Sequence, residues 1–135
     1  MTIFDHLAPL SANGDDESNL RVALLNAQRQ LADAERAAII IISGVNAGGK
    51  SDVIRTLNEW LDPRLVHTQA FGKKTDEEAL RPSFWRYWMA LPARGRIAIY
   101  VGSWYSDVLN ARLKRKFNRR SFENRLGHIN QLESD

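Results

Sequence analysis

The sequence predicts an α/β fold in which a small parallel sheet lies between two layers of helices. Short apolar segments alternate with amphipathic helical segments, and such alternation with short connections gives parallel strands and right-handed crossovers. The most apolar segment, Ile39–Ile42, is a run of isoleucines typical of a strand that is buried on both faces. The chain has 135 residues, of which 44% are hydrophobic, and this suits a single domain with a real core.

The elements are expected in the order α, β, α, β, α, β, α, α. Residues 1–19 are predicted to be a flexible arm, because SANGDDESN is polar and acidic, and residues 20–135 to form the domain. The first helix is predicted from Ser18, as an N-cap, to Arg36. The later elements are predicted as a strand at the isoleucines, a helix ending at Leu61, a strand at 65–71, a helix at 75–91 with a break at Pro82, a strand at 96–101, and helices at 106–117 and 121–132. The helix at 75–91 is expected to begin with a capping box formed by Thr75 and Glu78.

A glycine-rich segment follows the isoleucine strand and precedes a helix. Its spacing, Gly-x-x-x-x-Gly-Lys-Ser, is that of a phosphate-binding loop, whose backbone N–H groups point into one concavity at a helix N-terminus. The alternative is an ordinary glycine-rich turn, which the agreement of strand, loop and helix disfavours. The predicted phosphate-binding residues are Gly44, Asn46, Ala47, Gly48, Gly49, Lys50 and Ser51, with Lys50 the best catalytic candidate.

Such a loop normally works with an acidic residue at the end of a neighbouring strand, which holds magnesium through a water molecule. The strand at 96–101 is the expected carrier, but it ends in Val101 and Gly102. Asp107 comes one turn into the next helix and is interpreted as a surface or capping residue, with a metal partner as the alternative. The sequence therefore predicts a phosphate cradle without its usual metal anchor, and Ser51 is the one metal ligand expected in the loop.

Other candidate residues lie between the second strand and the aromatic segment that follows it. Lys73 and Lys74 are placed either to bind an incoming phosphate or to lie in a solvated loop, and both interpretations stay open. Arg86 lies in an aromatic helix, where an arginine is expected to have a specific anion or carboxylate partner. Trp85 and Trp88 are interpreted as a core stripe in preference to a stacking platform for a base.

Charge and composition limit the classes of function. The net charge is +3, and the basic residues between Arg112 and Arg125 are interpreted as a solvated helix face, with contact to polyphosphate or nucleic acid as the alternative. The chain has no cysteine, so neither disulfides nor thiolate chemistry is expected. There is no signal-peptide pattern and no bilayer-spanning apolar run, so a cytoplasmic protein without membrane or nucleic-acid partners is expected.

With these residues laid out, the chain resembles the polyphosphate kinase 2 family over nearly its whole length. The segments that carry the resemblance are GVNAGGKSDVIRTLNEWLDPR, TDEEALRPSFWRYWMALPARGRI and IYVGSWY. The resemblance implies a P-loop kinase-like three-layer sandwich with a helical lid. It also implies Mg²⁺ as cofactor and phosphoryl transfer between polyphosphate and the nucleotides AMP, ADP or ATP.

The chain departs from the family pattern at three charged positions. Asn46 stands where the family usually has an aspartate in the loop, and Val101 and Gly102 stand where it has the magnesium-holding aspartate and a phosphate-binding arginine. The Gly-Ser-Trp-Tyr version resembles the N-terminal half of two-domain polyphosphate:AMP phosphotransferases. By resemblance, Lys50 is the phosphate lysine, Gly44, Gly48 and Gly49 are the loop glycines, and Arg64 and Arg86 are candidate anion-binding arginines.

Two interpretations of function follow from this resemblance. In the first, the chain is part of a polyphosphate-dependent nucleotide phosphotransferase and is itself degenerate in catalysis. In the second, it is a non-catalytic half that binds polyphosphate or nucleotide, or only supports an active domain. The lid and the last strands are missing from the expected fold, so a second kinase domain or self-association is expected to close the sheet. We expect an open edge at the strand 96–101 or at the phosphate-loop strand, with exposed apolar surface at Trp104 and Tyr105.

Overall fold

The computed structural model describes residues 14–45, 47–114 and 118–134. These ranges contain three strands and six helices, which connect in the predicted order once the interrupted helix is counted as two. The elements are α1 Gly14–Asp33, β1 Ala38–Ile42, α2 Lys50–Trp60, β2 Val66–Ala70, α3 Asp76–Leu80, α4 Trp85–Met89, β3 Ile97–Val101, α5 Trp104–Leu113 and α6 Arg119–Ser134.

The three strands form one parallel sheet in the order β1-β3-β2. Ile40 lies opposite Ile99 on one side of the central strand, and Thr68 lies opposite Ile99 on the other. All three strands therefore end at the same edge of the sheet. This confirms the predicted parallel α/β architecture and places the residues that follow β1, β2 and β3 next to one another.

Alternating residues of β3 supply two separate cores, one on each face of the sheet. Ile97 and Ile99 pack with Leu61 against α1 and α2, together with the half-buried Leu24 and Leu57. On the other face, Ala98 and Tyr100 pack among the buried side chains of α4, α5 and α6, which are Tyr87, Trp104, Val108 and Ile129. The fold is thus helices, sheet and helices, which is the predicted three-layer sandwich.

The first helix differs from its prediction at both ends. It begins at Gly14, so residues 14–19 are helical and the predicted arm is wrong there, while residues 1–13 lie outside the described residues. Ser18 is inside the helix and is not its cap. Asp16 and Glu17 instead fall in the first turn, where negative charge interacts favourably with the helix dipole. The helix ends at Asp33 because Glu35 takes a left-handed backbone conformation with φ of 52°.

The predicted capping box at the start of α3 is confirmed. The Thr75 hydroxyl accepts a hydrogen bond from the Glu78 amide at 3.2 Å, and the Glu78 carboxylate accepts one from the Thr75 amide at 2.9 Å. Pro82 lies in the break between α3 and α4, as expected. Helix α5 begins at Trp104, two residues before its prediction, because Ser103 caps it with a second capping box that involves Ser106.

The interpretation of Trp85 and Trp88 as a core stripe is wrong. Trp88 is 51% exposed, whereas Tyr87 is only 1% exposed and Arg86 is 8% exposed. The short helix α4 therefore turns Arg86 and Tyr87 toward the sheet. Trp85 is half-buried, and the guanidinium of Arg81 lies 5.1 Å from the centre of its ring.

The expected open edge falls on the phosphate-loop strand and not on β3. Among the described residues, β3 pairs on both sides, whereas β1 and β2 each pair only with β3 and each keep one unpaired edge. The expected exposure of Trp104 is wrong, because its side chain packs edge-on against Tyr87 and Tyr100 and is 6% exposed. Helix α5 folds back over the sheet immediately after β3, and this covers the indole ring.

No helix in the described ranges is both long enough and apolar enough to cross a membrane.

Gly102 terminates β3 in a conformation that other residues adopt only with strain. Its φ is +83°, and a Cβ atom there would lie 3.3 Å from the Phe71 carbonyl oxygen. We expect Gly102→Ala to lower the free energy of unfolding by about 1–2 kcal/mol, mainly through the left-handed backbone. Gly127→Ala in α6, where a Cβ would meet nothing within 4 Å, should instead raise it by about 0.5–1 kcal/mol. Urea denaturation followed by circular dichroism measures both, and equal effects would contradict this account of Gly102.

Candidate functional site

The glycine-rich loop joins the end of β1 to the start of α2. Gly49 has φ of 77° directly before the first helical residue, and Ala47 is also left-handed with φ of 62°. The Gly48 amide donates to the Val45 carbonyl at 3.2 Å, which tightens the turn. The Lys50 ammonium group donates to the Gly44 carbonyl at 2.8 Å, so it lies across the mouth of the loop.

Backbone donors without helical partners gather at this end of α2. The first bond back toward the loop is from the Val53 amide to the Gly49 carbonyl at 3.2 Å. The amides of Lys50, Ser51 and Asp52 come before it, in the first turn, where helical N–H groups have no intrahelical acceptor. Together with the helix dipole and the lysine ammonium group, they form an arrangement suited to a phosphate oxyanion. Of the predicted loop residues, Asn46 lies outside the described residues.

The end of β3 lies directly beside this loop. The Gly102 amide donates to the Ile42 carbonyl at 3.2 Å, and Val101 is paired with Ile42 in the sheet register. An acid at position 101 would therefore face the phosphate loop, but the residue there is aliphatic. Within the described ranges no three histidine, aspartate or glutamate side chains come together as a metal site. Ser51 alone does not make the octahedral oxygen set that Mg²⁺ requires, so the described residues do not fit a complete magnesium site.

A buried arginine organises the other end of the same sheet edge. The Arg86 guanidinium donates to the Gly72 carbonyl at 2.8 Å and to the Tyr87 hydroxyl at 3.1 Å. It also lies 3.5 Å from the Asp107 carboxylate and 3.8 Å from the Glu78 carboxylate. The prediction that Arg86 has a carboxylate partner is confirmed, while its role in anion binding stays a prediction.

Tyr87 links the arginine to the aspartate. Its hydroxyl donates to Asp107 at 2.9 Å while it accepts from Arg86. Burial raises the pKa of Tyr87 to about 12, and the hydrogen bond from Arg86 lowers it only in part. The hydroxyl therefore stays protonated and remains a hydrogen-bond donor over the physiological pH range.

Asp107 lies in the first turn of α5 with its side chain 41% exposed, which agrees with its interpretation as a surface residue, but the carboxylate also has specific partners. Its Oδ1 atom faces Arg86, and its Oδ2 atom accepts from Tyr87 and lies 3.9 Å from the Lys74 ammonium group. Both oxygens are thus engaged by positive or donor groups. A metal ion at Asp107 would have to compete with these partners.

The structure brings some of the predicted anion-binding residues together and separates others. Lys74 and Arg86 meet at Asp107, and the exposed Lys73 lies next to them in the chain. Arg64 lies just before β2, at the edge of the sheet where the strands begin, so it is a strand length of about 15 Å from the loop edge. Its guanidinium pairs with the Asp62 carboxylate at 2.6 Å and does not join the phosphate loop.

The basic segment between α5 and α6 is not a uniform solvated face. Arg119 pairs with Glu123 at 2.9 Å on the exposed side of α6, and Arg112 lies over the Phe122 ring. Arg125 is half-buried and donates to the Ser83 hydroxyl at 2.8 Å. The interpretation of the basic segment as a solvated helix face is therefore wrong for Arg125. Residues 115–117 lie outside the described residues.

Sequence reasoning considered Tyr87 only as an aromatic ring that could stack on a base, and it missed the hydrogen bonds of the Tyr87 hydroxyl, Ser83 and the role of Arg125. The available signal was Arg86 itself, because an arginine in an aromatic segment is expected to have a specific partner and Tyr87 is its neighbour in the chain. The contact of Arg125 with Ser83 joins residues that are 42 positions apart, and no local spacing indicates it.

The parallel sheet, the glycine-rich strand-to-helix turn and the helices on both faces define a kinase-like α/β domain. The sequence model of the polyphosphate kinase 2 family matches residues 11–135. The chain belongs to the polyphosphate kinase 2 family.

Individual relatives agree with this assignment. The chain is 40% identical over 116 residues to the polyphosphate:AMP phosphotransferase of Pseudomonas syringae pv. tomato, covering 85% of this chain and 23% of the relative. It is 42% identical over 117 residues to that of Pseudomonas aeruginosa, covering 86% of this chain and 21% of the relative. A crystal structure assigned to polyphosphate kinase 2 of P. aeruginosa PA01 superposes with a TM-score of 0.81 at 36% identity, over 94% of this chain and 28% of that one. The chain therefore spans less than a quarter of the length of these two curated relatives.

The buried guanidinium generates a stability prediction. Arg86→Lys keeps the charge but cannot reach the Gly72 carbonyl, Tyr87 and two carboxylates at once, so we expect a loss of about 2–4 kcal/mol in the free energy of unfolding. Arg81→Lys is the matched control, because Arg81 is exposed and pairs with Glu77 on the surface. It should change stability by less than about 0.5 kcal/mol. Thermal and urea denaturation compare the two, and a control as damaging as Arg86→Lys would argue against the proposed network.

The pairing of Arg64 with Asp62 generates a titration prediction. Hydrogen bonds from the Arg64 side chain and backbone lower the pKa of Asp62 from 3.8 to about 2. Because the folded pKa is the lower one, the stability contribution is full above about pH 4 and is lost as the pH falls toward 2. Arg64→Gln should move the Asp62 pKa back toward 3.8, as measured by NMR titration of its carboxyl carbon. Arg55→Gln, which removes the same charge from α2, should leave the Asp62 titration where it is.

Proposed function

We propose that this chain is the phosphate-binding portion of a polyphosphate:AMP phosphotransferase and that it contributes little or no phosphoryl transfer itself. The observation that carries the proposal is the aliphatic end of β3 beside the glycine-rich loop. Val101 and Gly102 occupy the strand end that touches the loop, and neither supplies a charge. The chain would therefore bind phosphate at the loop without transferring a phosphoryl group.

The physical reason is that phosphoryl transfer depends on positioning and on neutralising charge around the transferred group. The loop amides and Lys50 supply donors for a bound phosphate. The resemblance assigns a metal-holding aspartate and a phosphate-binding arginine to the positions of Val101 and Gly102. Without them, a bound phosphate lacks the groups that stabilise developing charge at the reacting oxygen atoms.

In this proposal Mg²⁺ would be bound mainly by the phosphate groups of the substrate, because the described residues do not form a complete magnesium site. Mg²⁺ is usually held by substrate phosphates, waters and one or two carboxylates, and it neutralises phosphate charge when bound. In this chain Ser51 would be its ligand from the loop.

A second candidate function is a supporting half that packs against an active kinase domain. The unpaired edge of β1 favours it, together with an apolar groove beside this strand, lined by Ile39, Ile41, Leu91 and the half-exposed Trp88. Such an edge is a template for pairing with another strand. The additional strand would come from a second domain or from a second copy of the chain.

The activity prediction follows from the missing charges. We expect the chain to transfer phosphate from polyphosphate to AMP or ADP, with Mg²⁺ present, at a rate at least about 10²-fold below that of a relative with both charged residues. Nucleotide products separated by chromatography give the rate, and such a relative assayed in parallel is the control. Turnover within tenfold of that relative would refute the proposal that this chain is degenerate in catalysis.

Phosphate binding should persist without turnover. We expect Lys50→Ala to weaken binding of polyphosphate at least tenfold in calorimetry, because it removes the ammonium group that lies across the loop. Lys114→Ala removes the same charge from the exposed end of α5 and should have little effect. If Lys114→Ala is the more damaging change, the polyphosphate lies on the basic face near α5 and α6, and the loop is not the main site.

A further inference from the structure

A separate cavity opens on the same side of the sheet as α4, α5 and α6. Its volume is about 250 Å³, and its walls include Lys74, Ser83, Asp107 and Arg125. Lys74 follows β2 and Asp107 follows β3, so the cavity is reached from the edge where the strands end. Ligands of open parallel sheets bind outside this edge. The phosphate loop follows β1, which lies on the opposite side of β3 from β2.

The charges that line this cavity favour an anion. Lys74 and Arg125 present two positive charges, and Asp107 is the acidic residue among the lining side chains that the structure describes. That carboxylate is already compensated, because Oδ1 faces the buried Arg86 and Oδ2 accepts from Tyr87. Its distance of 3.9 Å from Lys74 is long for an ion pair, so the ammonium group can turn to a closer anion.

Arg125 is held in position for such a ligand. Its Nη1 atom donates to the Ser83 hydroxyl at 2.8 Å, which fixes the guanidinium across the mouth between α6 and the start of α4. A planar guanidinium has five N–H donors in a fork that matches the oxygen atoms of a phosphate group. The Ser83 hydroxyl, as acceptor of this bond, keeps its own proton to donate to a ligand.

The floor of the cavity is apolar. This floor is formed by Phe84, Trp104 and Val108, which complete the cavity lining, and Trp104 and Val108 are almost completely buried. A charge held above an apolar floor is screened less than one in open water, so its attraction to an oxyanion is stronger. The floor has few polar groups for a long hydrated chain, and the volume suits one or two phosphoryl groups.

We propose that this cavity is a second oxyanion site, separate from the phosphate loop, in which Lys74 and Arg125 bind a terminal phosphoryl group. The group can belong to the end of a polyphosphate chain or to a nucleoside monophosphate. The site needs no catalysis at the loop, so it stands whether or not the chain transfers phosphate.

The test uses the 135-residue chain in the Lys50→Ala background, which weakens binding at the loop. Tripolyphosphate, AMP and adenosine are titrated in turn, and binding is followed by calorimetry and by NMR shifts of the amides of residues 83, 107 and 125. We expect saturable binding of tripolyphosphate or AMP, and none of adenosine. Binding of tripolyphosphate alone identifies a polyphosphate end as the source, and binding of AMP identifies a nucleotide phosphate.

Paired variants locate the site. Arg125→Gln should weaken binding at least tenfold, whereas Arg119→Gln, which removes the same charge from the exposed side of α6, should change it less than twofold. Arg125→Lys and Ser83→Ala keep the local packing and should weaken binding by intermediate amounts, so a misfolded Arg125→Gln protein does not leave the question open. Equal losses from Arg125→Gln and Arg119→Gln, or no binding of either phosphate ligand, would overturn the proposal.

Discussion

The complete burial of β3 is the constraint on which the rest of the structure depends. Its residues 97–100 are at most 6% exposed, and its backbone is paired on both sides. Buried backbone N–H and C=O groups need partners, so β1 and β2 must flank this strand in register. One consequence is that three chain segments leave the sheet at the same edge, where Gly102 lies between the phosphate loop after β1 and the segment after β2 that carries Lys74.

The buried Arg86 side chain connects segments that follow the strands, and its burial costs free energy. Transferring a guanidinium from water to the interior costs several kcal/mol, which partners must offset. Here the partners are Gly72 in the segment after β2, Glu78 in α3 and Asp107 in α5. Its Nε atom is buried without a hydrogen-bond partner in the described structure, so the offset is incomplete. A buried charge of this kind contributes more to fixing the mutual position of three segments than to net stability.

The sequence predicted the parts of the fold that depend on local pattern and missed those that depend on distant contacts. The isoleucine strand, the loop and the Thr75–Glu78 capping box carry their own signals, because each satisfies its hydrogen bonds within a few residues. The burial of Trp104 and the partners of Asp107 cannot be predicted from local pattern, because they depend on residues of α4, which is distant in sequence. The predicted start of α1 is too late, because acidic residues are typical of disordered segments but also favour the first turn of a helix.

Val101 and Gly102 are not equivalent departures from the family pattern. Val101 lies in regular strand backbone, so an acidic side chain could replace it without changing the chain path. Gly102 has φ of +83° and lies against the Phe71 carbonyl, a conformation that an arginine would adopt only with strain. An arginine at this position would therefore require the backbone of residue 102 to leave the left-handed region, or the Phe71 carbonyl, in the segment after β2, to shift by a few tenths of an ångström. Since Gly72 in that segment also accepts from Arg86, the buried arginine network resists this movement and favours the uncharged form of the strand end.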